Sequence, residues 1–284
     1  MNVPLAHALL PKLLAAGACL AVLAGCSGGS IGDPPSKPLG NQFGPGERLC
    51  KLLGPATWYD ASNMDSKNCG QPQDHAVYTT GLSVVAIDDY DETGDGAVGN
   101  YWVQDPDPAC LGKPFSGVTV FAPSFSPPDL RLAENDVIDI NGQITEFIGP
   151  SGDGKSFKQC RTLPEITGSV SFRFDGNNPL EPVTIPVTDL KTYETGRQWI
   201  GMLVKVENIQ LAGNGTGSGG RFSAPINVGG GIPAADVPKI TNELYDIAGR
   251  GPELKDMGAF ASVTGIVTYF YGFHISPRSP ADFE

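Results

Sequence analysis

The sequence predicts an all-β protein built from two small five-stranded barrels in tandem, and three observations carry that prediction. A pattern G-x-[I/V]-T-x-F occurs twice at one offset, in D-V-I-D-I-N-G-Q-I-T-E-F (residues 136–147) and F-A-S-V-T-G-I-V-T-Y-F (residues 260–270). Aligning Gly142 on Gly265 superposes Ile144 on Val267, Thr145 on Thr268 and Phe147 on Phe270. Each copy is an alternating, β-branched strand broken by one glycine. Such a glycine marks the bend a small barrel needs to curl its sheet. Composition agrees, with 37 Gly and 25 Pro among 284 residues separating short apolar runs, a turn-rich β pattern. Finally, no apolar stretch after the first thirty residues is long enough to span a bilayer as a helix.

Residues 1–25 have the layout of a secretory signal: Lys12, an apolar core at 13–23, then small residues. Leu23-Ala24-Gly25-Cys26 resembles the bacterial lipobox, which implies cleavage before Cys26 and lipid on its sulfur and new amino group. A plain secreted protein and an uncleaved anchor are the alternatives. Ser27 follows the cysteine and no Asp does, which resembles sorting to the outer membrane of a Gram-negative bacterium. Residues 26–47 form the lipidated tether, rich in Gly, Pro and Ser. Loss of residues 1–25 removes one Lys and no acid, so the formal charge of −12 becomes −13. That balance argues against nucleic acid as partner, because phosphate backbones are held by cationic side chains. A local basic patch stays open. The expected partners are the membrane, through Cys26, and an extracytoplasmic molecule that the sequence does not name.

With Cys19 in the signal and Cys26 lipidated, Cys50, Cys69, Cys110 and Cys160 remain. In an oxidising compartment they read as disulfides, with three connectivities open. The expected pairs are Cys50–Cys69, closing a cap over residues 48–75, and Cys110–Cys160 within the first barrel. Zinc is the rival, weakened by the lack of C-x-x-C and by His75 and His274 being the only histidines after the signal.

The first barrel is expected over residues 76–165, with strands at 80–87, 100–104, 117–121, 136–147 and 157–163. The segment at 123–135 is broken by Pro127-Pro128. Five strands with an irregular piece between the third and fourth is the order of an OB-fold barrel. A connector follows at 166–200, with strand candidates at 169–174 and 182–187. The second barrel occupies 201–284. It opens with 201–211, where alternation slips by one residue between Val206 and Ile209 as at a bulge. Strands at 221–228, 240–247 (or a short helix), 259–270 and 272–275 complete it.

Several motifs carry chemistry only in a context this chain lacks. Residues 149–156 match G-x-x-x-x-G-K-[S/T], yet F-K-Q-C-R-T-L-P after Lys155 is not the helix a phosphate loop requires. Residues 215–220 match G-x-G-x-x-G, but R-F-S-A-P-I-N does not start a helix, so a hairpin loop is expected. In the acidic run at 88–96, Asp89, Asp91, Thr93 and Asp95 alternate and offer hard oxygens to one Ca2+. The competing reading is a solvated acidic turn. No G-x-S-x-G occurs and neither His75 nor His274 stands in a pattern that marks a base, so no enzyme is expected. Tyr101 and Trp102 are adjacent in one strand and one must face outward. Tyr269, Tyr271 and Phe273 cluster with Phe270 near the end. Such rings form a stacking face for sugars or single strands, or else fill the contact between the barrels.

These strands, N-Y-W-V-Q-D-P (100–106), 117–121, N-D-V-I-D-I-N-G-Q-I-T-E-F and W-I-G-M-L-V-K-V-E-N-I-Q-L, resemble OB-fold modules that precede the catalytic domain of bacterial secreted nucleases and that occur in surface lipoproteins. The resemblance covers about residues 78–211 and implies modules that accompany catalysis without performing it. No nuclease domain accompanies them in this sequence. The expectation is a non-enzymatic, lipid-anchored binding or interaction module of the cell envelope. A nucleic-acid or polysaccharide binder, or an accessory to a secreted nuclease, is the alternative.

Overall fold

The computed structural model describes residues 46–54, 75–94, 99–121, 132–149, 157 and 161–284. The signal, Cys26, the tether up to residue 45, Cys69, Cys160, Asp95 and the loop at 150–156 lie outside the described residues. A short helix α1 (Leu49–Leu52) precedes β1 (His75–Ile87), β2 (Tyr101–Gln104), β3 (Gly117–Val120), β4 (Asp136–Phe147) and β5 (Leu163–Asn177). These strands close into a barrel in the order β1-β2-β3-β5-β4. Only β3 and β5 run parallel, which is the arrangement of an OB-like barrel. β4 is its centre, pairing with β1 on one side and with β5 along its whole length on the other. A Cβ on Gly142 would sit 1.8 Å from the Thr167 carbonyl oxygen, so the β4 and β5 backbones approach as only glycine permits.

The fifth strand departs from expectation. It is Leu163–Asn177 rather than 157–163, and it takes up the strand candidate at 169–174. Pro164 reads as a stop in sequence, yet it stands second in β5, opposite Glu146, near a strand start, where proline is tolerated.

The chain continues through β6 (Val183–Ile185), α2 (Tyr193–Gly196), β7 (Leu203–Gln210), β8 (Thr216–Ser218), β9 (Arg221–Pro225), β10 (Lys239–Thr241), α3 (Ile247–Arg250), β11 (Ala259–Tyr269) and β12 (Phe273–Ser276). The sheet order is β6-β7-β11-β12-β10-β9-β8, with β10 and β12 parallel. A bridge between Leu211 and Ile226 returns β9 to β7, supported by Ala212 N donating to Pro225 O at 2.8 Å and Asn227 N to Gln210 O at 2.7 Å. Counted from β7, the cyclic order repeats that of the first barrel. The glycine-rich run at 213–220 forms the β8–β9 hairpin. The slip in β7 is not a bulge: Ile209 pairs with Phe260 and Glu207 with Ser262 in one register. Asn208 changes face instead, through a left-handed backbone with φ 56°.

Each barrel is plugged differently. Leu49, Leu52 and Leu53 of the α1 segment join Leu82, Val103 and Ile140 in the first core. Asp105 fixes that plug, accepting from Leu49 N at 3.0 Å and pairing with Arg48 at 3.2 Å. The plug also decides the disulfide. Cys50 bonds to Cys110 with Cα atoms 5.4 Å apart, correcting the expected Cys50–Cys69 and Cys110–Cys160 pairs. Docking α1 under the β2–β3 connection brings Cys50 beside Cys110 although 60 positions separate them. The second barrel plugs itself with its β10–β11 connection, through Tyr245, Ile247 and Leu254. Asp246 caps α3 there by accepting from Gly249 N at 2.8 Å.

Candidate ligand face

Barrels of this order hold oligomers on the outer side of their second and third strands, flanked by the loops after strands one and four. In the first barrel that side is sealed. Trp102, only 2% exposed, packs with Val85 and Ala86 on Leu203, Leu244 and Ile266 of the second barrel. Gln104 Oε1 accepts from Leu203 N at 2.9 Å. A Cβ on Gly117 would lie 2.5 Å from the Gly201 carbonyl oxygen, so the seam closes backbone to backbone. A buried ion pair locks it: Glu146 of β4 bonds Arg197, in the short turn before β7, at 2.5 Å. Thr162 Oγ1 donates to the second Glu146 oxygen at 2.6 Å.

The aromatic ligand face expected from sequence is corrected accordingly. Trp102 fills the seam, Tyr101 lies in the first core, and Tyr269 and Phe273 lie in the second. Alternation sends one of each adjacent pair outward, but outward here means into another barrel. Tyr271 alone of that set is open, 40% exposed. It occupies the β11–β12 turn with φ 60°, its ring 4.8 Å from Phe270 and 5.3 Å from Phe157.

The matching side of the second barrel carries a different set of groups. Phe222 and Ala224 of β9 turn inward, so Arg221 and Ser223 turn outward. Lys239 of β10 stands beside His274 of β12, which stands beside Thr268 of β11. Arg221 extends over this surface, its Cζ 5.3 Å from the Phe270 ring centre and its Nε 3.6 Å from Glu92. Asn242 anchors the neighbouring hairpin, accepting from Phe222 N at 2.7 Å and donating to Gly220 O at 2.9 Å. Behind Arg221, Glu243 accepts from Thr268 Oγ1 and from Ser276 Oγ, each at 2.8 Å.

Electrostatics divide this surface. Burial and the cations Lys239 and Arg221 push His274 down to about 4, so it is neutral at physiological pH. Burial also raises Glu243. Asp88, at the end of β1, faces the same region from the first barrel. Burial and the nearby Glu243 and Glu92 push it up to about 8. Its Oδ1 is buried with no hydrogen-bond partner among the described residues.

The described part of the acidic loop after β1, residues 88–94, packs on the second barrel. A Cβ on Gly220 would fall 1.8 Å from the Glu92 carbonyl oxygen, so the loop rests on the β8–β9 turn. Asp91 accepts from Gly94 N at 2.7 Å, closing a local turn. Among the described residues no group of three or more His, Cys, Asp or Glu is placed to hold a metal. Arg221, Lys239 and Glu243 were not singled out from sequence. The signal was the alternation R-F-S-A-P, with Phe and Ala on one face and Arg and Ser on the other.

No protein-family model matches this chain, and no curated protein matches it. Among solved structures the chain is similar to the crystal structure of fission yeast Pot1 with ssDNA, at 11% identity and a TM-score of 0.24, over 80% of this chain and 88% of that one. A likeness at that level carries no argument. The OB-like architecture rests on the strand order.

Proposed function

We propose that the protein is a non-enzymatic binding module, held at the outer membrane by lipid on Cys26, that takes an envelope polysaccharide on the outer face of its second barrel. One observation carries the reading: the first barrel's face is buried in the seam, while the second keeps Arg221 laid over Phe270 with Lys239, His274 and Tyr271 around it. Aromatic rings beside a guanidinium suit a sugar ring's C–H face and hydroxyls. Glu92 at the border, 3.6 Å from Arg221 Nε, accepts hydroxyl hydrogen bonds and repels phosphates. That border, with the net charge of −12, favours sugar over nucleic acid.

The purified protein is titrated calorimetrically with a panel of envelope glycans and with single-stranded DNA. Saturable glycan binding is expected, weakened about tenfold or more in Arg221→Ala and in Phe270→Ala, given ~1–3 kcal/mol per stacked or charged contact. Trp102→Phe leaves affinity unchanged. Flat titrations with every glycan, or indifference to Arg221→Ala, would falsify the reading; preference for DNA would replace sugar with nucleic acid. Cys26→Ser is expected to move the protein out of the membrane fraction, and retention there would remove the lipid anchor.

A further inference from the structure

A cleft of ≈ 380 Å³ lies between the segment around α2 and the β9–β10 connection, lined by Arg161, Lys191, Glu194, Ile232, Pro233 and Asp236 among others. It shares no residue with the outer face of the second barrel. Its volume is at the small end of the range for small-molecule sites, ~300–1,000 Å³, fit for a monomer rather than a chain.

The charges in it are unevenly matched. Arg161 donates from Nη1 to Asp236 Oδ1 at 2.7 Å, and its Cζ lies 5.8 Å from the Tyr193 ring centre. Its Nε is buried with no hydrogen-bond partner among the described residues. Lys191 has no carboxylate partner among the described residues. The lining balances formally, Arg161 and Lys191 against Glu194 and Asp236, but only Arg161 and Asp236 are paired with each other, so a single negative charge can meet the Lys191 ammonium without displacing that pair. Two would meet Glu194 and Asp236, which disfavours a phosphate dianion and favours a carboxylate.

The rest of the lining fixes the body of that ligand. Glu194 and Asp236 are acceptors for hydroxyls, and Ile232 and Pro233 give an apolar wall. We infer that this cleft is a second, independent binding site for an acidic monosaccharide, with its carboxylate between Lys191 and Arg161, hydroxyls on Asp236 and Glu194, and its C–H face on Ile232 and Pro233. This inference does not depend on the outer-face reading, and either can fail alone.

Intact protein is titrated with glucuronate, galacturonate, glucose and inorganic phosphate by calorimetry, with wild type and Lys191→Met compared. Saturable uronate binding is expected, with none for glucose, and a loss of about tenfold or more in Lys191→Met, the scale of one charge-assisted hydrogen bond. Because Lys191 holds no ion pair among the described residues, the variant is expected to melt with wild type, so lost affinity is not lost folding. Glu194→Leu provides a second readout: it removes a hydroxyl acceptor at similar volume and is expected to weaken uronate. Absence of uronate binding, equal binding of phosphate, or unchanged affinity in Lys191→Met each overturns the assignment.

Discussion

The two barrels share one strand order and differ in what they do with it. The first gives its outer β2–β3 face to the seam and takes its plug from outside, through Leu49, Leu52 and Leu53. The second plugs itself with its own β10–β11 connection and leaves Arg221 59% exposed above Phe270. The same architecture thus has its outer face covered once and left open once. The difference is set by what packs on the outer face of strands two and three, not by the barrel itself.

The largest expected effect breaks the lock between them. Glu146 and Arg197 are 1% and 4% exposed, and removing one partner of such a pair leaves a buried, uncompensated charge. Arg197→Met is therefore expected to cost ~3–5 kcal/mol in urea unfolding. A cost under ~1 kcal/mol would mean that the apolar seam holds without the pair. Next comes the plug. Cys110→Ala opens a loop that spans 60 positions and is expected to cost ~2–4 kcal/mol, borne by the first barrel alone. Hydrogen exchange separates the outcomes: faster exchange confined to β1–β5 sharpens the contrast, whereas equal loosening of β7–β12 shows the barrels unfold as one.

How much of this was readable follows the range of the interactions. Asp136–Phe147 was delimited to the residue, because its β-branched alternation and its bend at Gly142 are local. Both barrels and their order followed from such runs. β5 was missed because Pro164 reads as a stop until its place opposite Glu146 is known. The Cys50–Cys110 bond was missed because the apolar docking of α1, not spacing, brings those sulfurs together. Trp102 was named from sequence as a candidate, but alternation gives only a side of the strand. That the side meets Leu203 and Ile266 is a fact of tertiary packing. Arg221 needed both barrels placed before its exposure meant anything.

The smallest expected effect concerns protons at the seam. Asp88 is pushed from 3.8 up to about 8, so the folded state holds a proton that the unfolded chain releases. Its contribution is complete below pH ~4 and is lost as pH rises toward 8. His274 works the other way: lowered from 6.5 to about 4, it contributes above pH ~6.5 and loses that contribution as pH falls toward 4. Glu165, pushed up by burial to about 7, has given up most of its share by pH 7. Between pH 7 and 8, then, Asp88 dominates the slope, and stability is expected to fall by about 1 kcal/mol at 1.36 kcal/mol per proton per pH unit. Asp88→Asn, which keeps the shape and cannot ionise, is expected to flatten that interval. A wild-type profile already flat from pH 7 to 8 would show Asp88 ionised and solvated, and the first barrel's acidic loop only loosely seated on the second.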